Sequence, residues 1–337
     1  MLEKGIAKLG WRSIRRLLAY RLSGQGKYLK THLDASNYKK CLWLYYDVPQ
    51  IGDALMDLAP RSLLHSLGIS IDLYTHQHIA ELFSDDQWLN TVETDPAKID
   101  VINYDFVIAS SFKWRSIKHK VIYACQLPWI SIFGKFSGPE INRSLYSAKR
   151  IATIFNMQLD ASELAFHACQ KLQRQKNGHQ INHIPHSVAL AIGGIDPTRT
   201  YKHWYAVASK LKLLGIKNIV LLGNENSMAI INAMRSLHED SFQIHNYAGK
   251  TTLTECWELM QKASIVVAAD GGLMHLAITS NRPVIGLFNQ AIKPIWRLPE
   301  KLIPLSIESV TRDVNDIAPD EIINMIKTAQ ICPSTQK

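Results

Sequence analysis

Short apolar runs that end at a glycine, an aspartate or a proline recur along the chain. Between them lie stretches in which apolar residues return every three or four positions. The first pattern predicts strands buried on both faces of a parallel sheet, and the second predicts amphipathic helices packed over it. Cys41-Leu42-Trp43-Leu44-Tyr45-Tyr46 reads as the first strand and runs into Asp47-Val48-Pro49-Gln50-Ile51-Gly52-Asp53. A helix through Ala54, Leu55, Leu58, Leu63 and Leu64 follows, then a strand at Ile69–Tyr74. That order is a βαβ unit, which implies a parallel sheet with a right-handed crossover. Phe106–Ala109 and Val121–Ala124 read as further strands. A second series opens at Val188–Ile192 and continues through Asn218–Gly223, Phe242–Ile244, Ile265–Ala269 and Pro283–Phe288. It closes on helical spacing at Ile322, Ile323, Met325 and Ile326.

The polar stretch 170–186, rich in Gln, Lys, Asn and His, separates the two series and is the linker candidate. The expected fold is therefore α/β, with two doubly wound, Rossmann-like domains. We place a first α/β domain, 31–168, a linker at 169–186 and a second α/β domain, 187–337, after a basic amphipathic segment at 1–30. A chain of 337 residues fits two domains. His179, His183 and His186 sit in the linker without a supporting cysteine or carboxylate, and are read as solvated rather than as metal ligands.

Charge changes this picture at one place. The net charge is +9. Lys4, Lys8, Arg12, Arg15, Arg16, Arg21, Lys27 and Lys30 face only Glu3 in the first thirty residues, so the rest of the chain is nearly neutral. That argues against a nucleic-acid surface spread over the body. Leu2, Ile6, Leu9, Ile14, Leu17 and Leu18 lie among these basic residues with roughly helical spacing. This suits an anionic membrane surface, with a solvated helix docked on the body or a basic arm as alternatives. Ser23-Gly24-Gln25-Gly26 reads as a short flexible link. The five cysteines are scattered and odd in number, as in a reduced, cytoplasmic chain, and no apolar run reaches transmembrane length.

The chemistry concentrates at Ile265–Ala277. An apolar run stops at Asp270, turns on Gly271-Gly272 and enters a helical pattern containing His275. Strand, tight turn and helix would place unpartnered helix amides at the carboxyl end of a parallel sheet, where they can hold a phosphate. Asp270 stands where an N-cap would stand. His275 is either a core histidine or a ligand contact. Asp53, beyond the end of the first strand, is either a helix cap or a general base. Thr198, Arg199 and Lys202 offer a hydroxyl, a guanidinium and an ammonium in the loop after another strand. They form either a solvated basic loop or a clamp on a diphosphate.

The block Asp270-Gly-Gly-Leu-Met-His275-Leu-Ala277, followed by Asn281–Phe288, resembles the nucleotide-sugar site of glycosyltransferase family 9, the bacterial lipopolysaccharide heptosyltransferases. Members usually carry Thr or Ser where this chain has Gly271. Ile51-Gly52-Asp53-Ala54-Leu55 with Pro60 is similar to the family's N-terminal Gly-Asp motif, which implies that Asp53 is the base. Lys202-His203-Trp204 resembles the donor-phosphate loop, with Lys202 in the place of its key lysine and Thr198 and Arg199 matching. The resemblance further implies Glu225 as a ribose ligand, although strict family spacing would put Ser227 there. It implies Thr251 near the base edge, and Asp270, Gly271, Gly272 and His275 around the donor. Arg115 and Ser116 lie where the family binds its anionic sugar acceptor, while Ala109 and Phe112 depart from the pattern. The likeness spans about residues 40–290.

These implications define an expectation. It is a GT-B fold, two domains facing across a cleft, performing inverting sugar transfer from a nucleotide-sugar, with ADP-heptose the first candidate. The acceptor would be a lipopolysaccharide or lipooligosaccharide core glycolipid at the cytoplasmic face of the bacterial inner membrane. The nucleotide-sugar is a co-substrate rather than a cofactor. No Asp-X-Asp motif is present, so no metal is expected. A different donor sugar on the same scaffold and a non-catalytic nucleotide-sugar-binding protein are the competing readings. An NAD-dependent oxidoreductase lacks its Gly-X-Gly-X-X-Gly after an early strand.

Overall fold

The computed structural model describes residues 2–137, 140–174 and 182–331. The chain divides into two compact units, residues 1–175 and 176–337. Positions 175–181, which include His179 of the expected linker, lie outside the described residues.

The first unit holds β1 (Lys40–Tyr45), β2 (Ser70–Thr75), β3 (Thr91–Glu93), β4 (Phe106–Ala109) and β5 (Trp129–Ser131). All pair in parallel, in the order β3-β2-β1-β4-β5. Its helices are α1 (Leu2–Leu22), α2 (Ile51–Asp57), α3 (Arg61–Ser66), α4 (Gln77–Phe83), α5 (Trp114–Ala124), α6 (Arg143–Ile154) and α7 (Ala161–Ala168). The second unit holds β6 (Ser187–Ala191), β7 (Asn218–Leu222), β8 (Gln243–Asn246), β9 (Ile265–Ala269), β10 (Val284–Phe288) and β11 (Ser306–Glu308). Its helices are α8 (Trp204–Leu213), α9 (Met228–Met234), α10 (Leu253–Lys262), α11 (Gly272–Ile278) and α12 (Pro319–Ile331). Its parallel strands run β11-β10-β9-β6-β7-β8.

The central strands are buried along almost their whole length, as Cys41–Tyr45 and Val188–Ala191 show. Burial on both faces is why they read as unbroken apolar runs rather than as alternating ones. In each sheet the strand order reverses once, between β1 and β4 and between β6 and β9. At such a reversal the connections leave in opposite directions and open a crevice at the carboxyl ends of the strands. The fold thus marks one ligand-binding edge in each unit.

Several expectations are corrected. Val121–Ala124 is not a strand but the end of α5, in which Ile117 and Ala124 are buried while Val121 and Ile122 face outward. The strand of that unit is Trp129–Ser131, beyond the turn. The single helix expected through Leu64 breaks into α2 and α3 at Pro60, which lacks the N–H that would continue the first helix. The segment around Gln25 is no flexible link. Gly24 ends α1 at φ 67°, and buried Gln25 then accepts from Trp129 Nε1 (3.0 Å) through its carbonyl and from Lys120 Nζ (2.8 Å) through its side chain. One turn earlier, Tyr20 stacks on Phe112 with centroids 4.4 Å apart. The end of α1 is therefore part of the first unit's packing. Arg61, at the start of α3, is a charge held inside the unit. It is fully buried, with Nε and Nη2 on Asp86 at 2.8 and 2.6 Å.

Candidate functional site

In the first unit, the loop after β1 enters α2. Gln50 takes the N-cap position without a side-chain bond, so Asp53 lies in the helix's first turn and is not its cap. The Asp53 side chain is 32% exposed and lies 3.5 Å from Arg143 Nε. One helical turn on, Asp57 points the same way and is buried. Arg143 grips it with two bonds, Nε to Oδ1 at 2.8 Å and Nη2 to Oδ2 at 2.5 Å, and the Tyr45 hydroxyl donates to Oδ2 at 3.0 Å. Burial raises the Asp57 pKa even against the pull of Arg143. Burial works the other way on Arg143, but Asp57 and Asp53 outweigh it and hold the guanidinium charged. The result is a rigid cation that faces a buried carboxylate on one side and the candidate base on the other. Nothing local in the sequence marks Arg143 for this role, because its partners lie some ninety residues earlier.

Arg115 and Ser116, expected together on the acceptor, are separated by the structure. The Ser116 hydroxyl is buried and donates to Asp47 Oδ2 at 2.7 Å, behind β1, while Arg115 is exposed on α5.

In the second unit, the predicted donor residues gather at the carboxyl edge of the sheet. Asp270 follows β9 and is not an N-cap. Gly271 holds that position in extended backbone, φ 166°, and no side chain caps α11. The buried Asp270 carboxylate instead draws in two arginines, Arg199 Nη1 at 3.2 Å and Arg297 Nε at 3.6 Å. Arg297 was not foreseen, since it lies outside every motif. Arg199 also meets Asp196 at 3.2 Å. Thr198 donates its hydroxyl to Asp196 at 2.8 Å, and its carbonyl accepts from Asn289 at 3.4 Å, so this loop is tied to the ends of both β6 and β10. The Lys202 amide donates to Asn315 Oδ1 at 2.8 Å, which fixes its backbone while the side chain is exposed.

Glu225 is exposed just past β7, whereas Ser227 is buried with its hydroxyl on the Ile192 carbonyl at 3.2 Å. The carboxylate rather than the serine is therefore presented at the edge. Gly249 turns at φ 71°, with its amide on the Gly223 carbonyl at 2.9 Å, and a Cβ there would meet Glu225 Cγ at 3.0 Å. This close approach brings the Thr251 turn beside Glu225. The Thr251 hydroxyl is directed inward, to Tyr247 O at 3.3 Å and Cys256 Sγ at 3.0 Å. His275 is buried in α11, one turn in from Gly272. Among the described residues no group of three His, Cys, Asp or Glu is placed to hold a metal ion, and no helix is long and apolar enough to cross a membrane. Guanidiniums, an ammonium and the first amides of a helix at one sheet edge suit an anionic ligand with several phosphate oxygens.

A model of glycosyltransferase family 9 (heptosyltransferase) matches residues 139–303. Lipooligosaccharide heptosyltransferase 2 of Haemophilus influenzae is 30% identical over 95 residues, 27% of this chain and 28% of that protein. The alignment thus spans little more than a quarter of the curated relative's length. A glycosyltransferase family 9 structure from Veillonella parvula superposes with a TM-score of 0.68 at 13% identity, covering 90% of this chain and 99% of that one. The E. coli heptosyltransferase WaaC with ADP superposes at 0.66 and 14% identity, covering 86% and 99%. These likenesses establish a GT-B-like fold of two parallel α/β sheets. Across β6 to β10 the chain is similar to glycosyltransferase family 9, whose model matches there.

Proposed function

We propose that the chain is an inverting, metal-independent glycosyltransferase that moves heptose from ADP-heptose to a lipopolysaccharide or lipooligosaccharide core acceptor. The observation that carries the reading is Asp270 with Arg199 and Arg297 around it, at the same sheet edge as Lys202 and the glycine pair. The choice of donor rests on similar proteins, since E. coli WaaC has been solved with ADP and with ADP-2-deoxy-2-fluoro heptose.

In the proposed step Asp53 takes the proton of the acceptor hydroxyl as its oxygen bonds to the anomeric carbon. The bond from that carbon to the diphosphate breaks, and ADP leaves with an added negative charge. Lys202, Arg199, Thr198 and the amides at Gly271-Gly272 meet that charge. Preorganised donors do so without reorganisation at the moment of reaction. Asp270 sets the arginines, His275 shapes the donor pocket from within α11, Glu225 accepts from the ribose hydroxyls and the Thr251 backbone reads the base. Arg143 holds Asp53 in register. Arg115 reaches toward the acceptor, with Ser116 stabilising the loop beneath.

The acceptor lipid places this reaction at the cytoplasmic face of the inner membrane. Exposed Trp11, Ile14, Leu18 and Leu22 form one stripe on α1, flanked by Arg15 and Arg21, as an anionic bilayer surface requires. A second reading, a different donor sugar, is favoured by one observation. A Cβ at Gly271 would meet nothing nearer than 3.8 Å, so the absent side chain leaves room for a larger donor group.

The test is Asp53→Ala. It should abolish transfer and leave the thermal shift on ADP-heptose nearly intact; equal loss of both would make Asp53 a structural residue. Screening ADP-, GDP- and UDP-sugars by the same shift separates the two donor readings.

A further inference from the structure

Arg199 and Arg297 meet the same carboxylate but are held differently. Arg297 follows a tight turn at Pro294–Trp296, and Pro294 and Leu298 are buried on either side of it. The Arg297 and Leu298 amides both donate to the Pro294 carbonyl, at 2.9 and 2.8 Å. The backbone of Arg297 is thereby fixed, and its side chain is 12% exposed. Its Nε lies 3.6 Å from Oδ1 of Asp270, a side chain that is 3% exposed. Arg199 ends the turn Pro197–Arg199 and is 37% exposed. It approaches the other oxygen of Asp270, Oδ2, with Nη1 at 3.2 Å. A second carboxylate in its own loop, Asp196, stands 3.2 Å from its Nε. The charges along this edge therefore run Asp196, Arg199, Asp270, Arg297.

Two acids and two guanidiniums balance. Without Arg297, Arg199 would stand alone between two carboxylates, one of them buried. A buried carboxylate stripped of its partner is strongly destabilising, so Asp270 would then retain Arg199 against any ligand. With Arg297 on Oδ1, Arg199 can leave Oδ2 while Asp270 stays paired. The half-exposed contact between Arg199 and Asp196 is weak and easily exchanged.

We infer that Arg297 is a positioning residue for donor binding. It takes the charge of Asp270 on one oxygen and so leaves Arg199, on the other, available to the diphosphate. This rests on the glycosyltransferase reading and adds to it a residue outside every motif of the sequence. The two arginines have unequal parts. Arg297 stays in place, while Arg199 exchanges a carboxylate for phosphate oxygens, either of which its planar fork can grip. Arg297 acts through Asp270 rather than on the nucleotide.

The test is a double-mutant cycle on the full chain, with ADP binding measured by calorimetry at low salt. Arg297→Gln should weaken ADP by about tenfold or more, because Asp270 then retains Arg199. Arg297→Lys keeps the charge and should recover most of that loss. Asp270→Asn removes the charge that retains Arg199, and in that background Arg297→Gln should change ADP binding less than about twofold. A tenfold loss in both backgrounds would make Arg297 a direct contact or a merely structural residue and overturn the inference. The comparison of Asp270→Asn with the double variant stands even where the single Arg297→Gln melts too low to be titrated, because neither protein holds a buried carboxylate at 270. If the parent binds ADP and Arg297→Gln binds it equally well, only this inference fails; if the parent binds no ADP, the underlying function fails first.

Discussion

Arg143 offers the sharpest perturbation. It is 25% exposed, and the Asp57 carboxylate that it grips is 2% exposed. Replacing it with leucine leaves that carboxylate buried, with the Tyr45 hydroxyl its remaining hydrogen-bond partner. Breaking a buried pair by removing one member costs about 3–5 kcal/mol, and the partial exposure of Arg143 points to the lower end, about 3 kcal/mol at neutral pH. For a unit of this size that corresponds to a fall in Tm of roughly 10 °C. The pH dependence has a defined sign. Burial already raises Asp57, and loss of the guanidinium raises it further. A carboxyl with a raised folded pKa favours the fold below its unfolded pKa and loses that contribution as pH climbs through the folded value. Arg143→Leu should therefore be most destabilised at neutral pH and approach the parent toward pH 4. Adding Asp57→Asn should recover most of the lost stability but not activity, because Asp53 remains unheld. Urea melts across pH, with transfer rates alongside, decide it. A single variant costing under about 1 kcal/mol, or a double variant no better than the single, would refute the reasoning.

Lys202→Met should lower kcat by about a hundredfold or more with a smaller change in donor affinity, because the ammonium meets charge that develops on the leaving diphosphate; equal effects would make it a ground-state contact. Asp270→Ala should lower stability in a thermal melt, since it removes the buried carboxylate that Arg199 and Arg297 share, and should weaken ADP binding by calorimetry. Gly271→Thr should leave the melt within about 0.5 kcal/mol, as the site has space and an extended backbone, and should tighten ADP-heptose if the added hydroxyl reaches a phosphate. Trp11→Ala/Leu18→Ala should reduce partitioning onto anionic vesicles without altering the melt. Removing all of 1–30 is a poor test, because Tyr20 and Gln25 belong to the packing of the first unit.

The sequence alone determined most of the strands and their parallel, doubly wound arrangement. Strands buried on both faces write themselves as apolar runs, and the residues that serve a parallel sheet come directly after those runs. Asp53, Lys202, Glu225, Thr251 and Gly271 could therefore be proposed from position, each lying past the end of a strand. Only tertiary structure decided what each polar group faces. Val121–Ala124 is β-branched enough to mimic a strand, yet packing laid it along a helix with one side in water. Asp270 has the spacing of a cap, yet two arginines distant in sequence claim its carboxylate. Arg61 and Arg143 look like surface charges until buried aspartates meet them. Backbone periodicity is a local property and survives in the string of letters. Charge pairing and burial depend on separations in space, which the chain sets only when it folds.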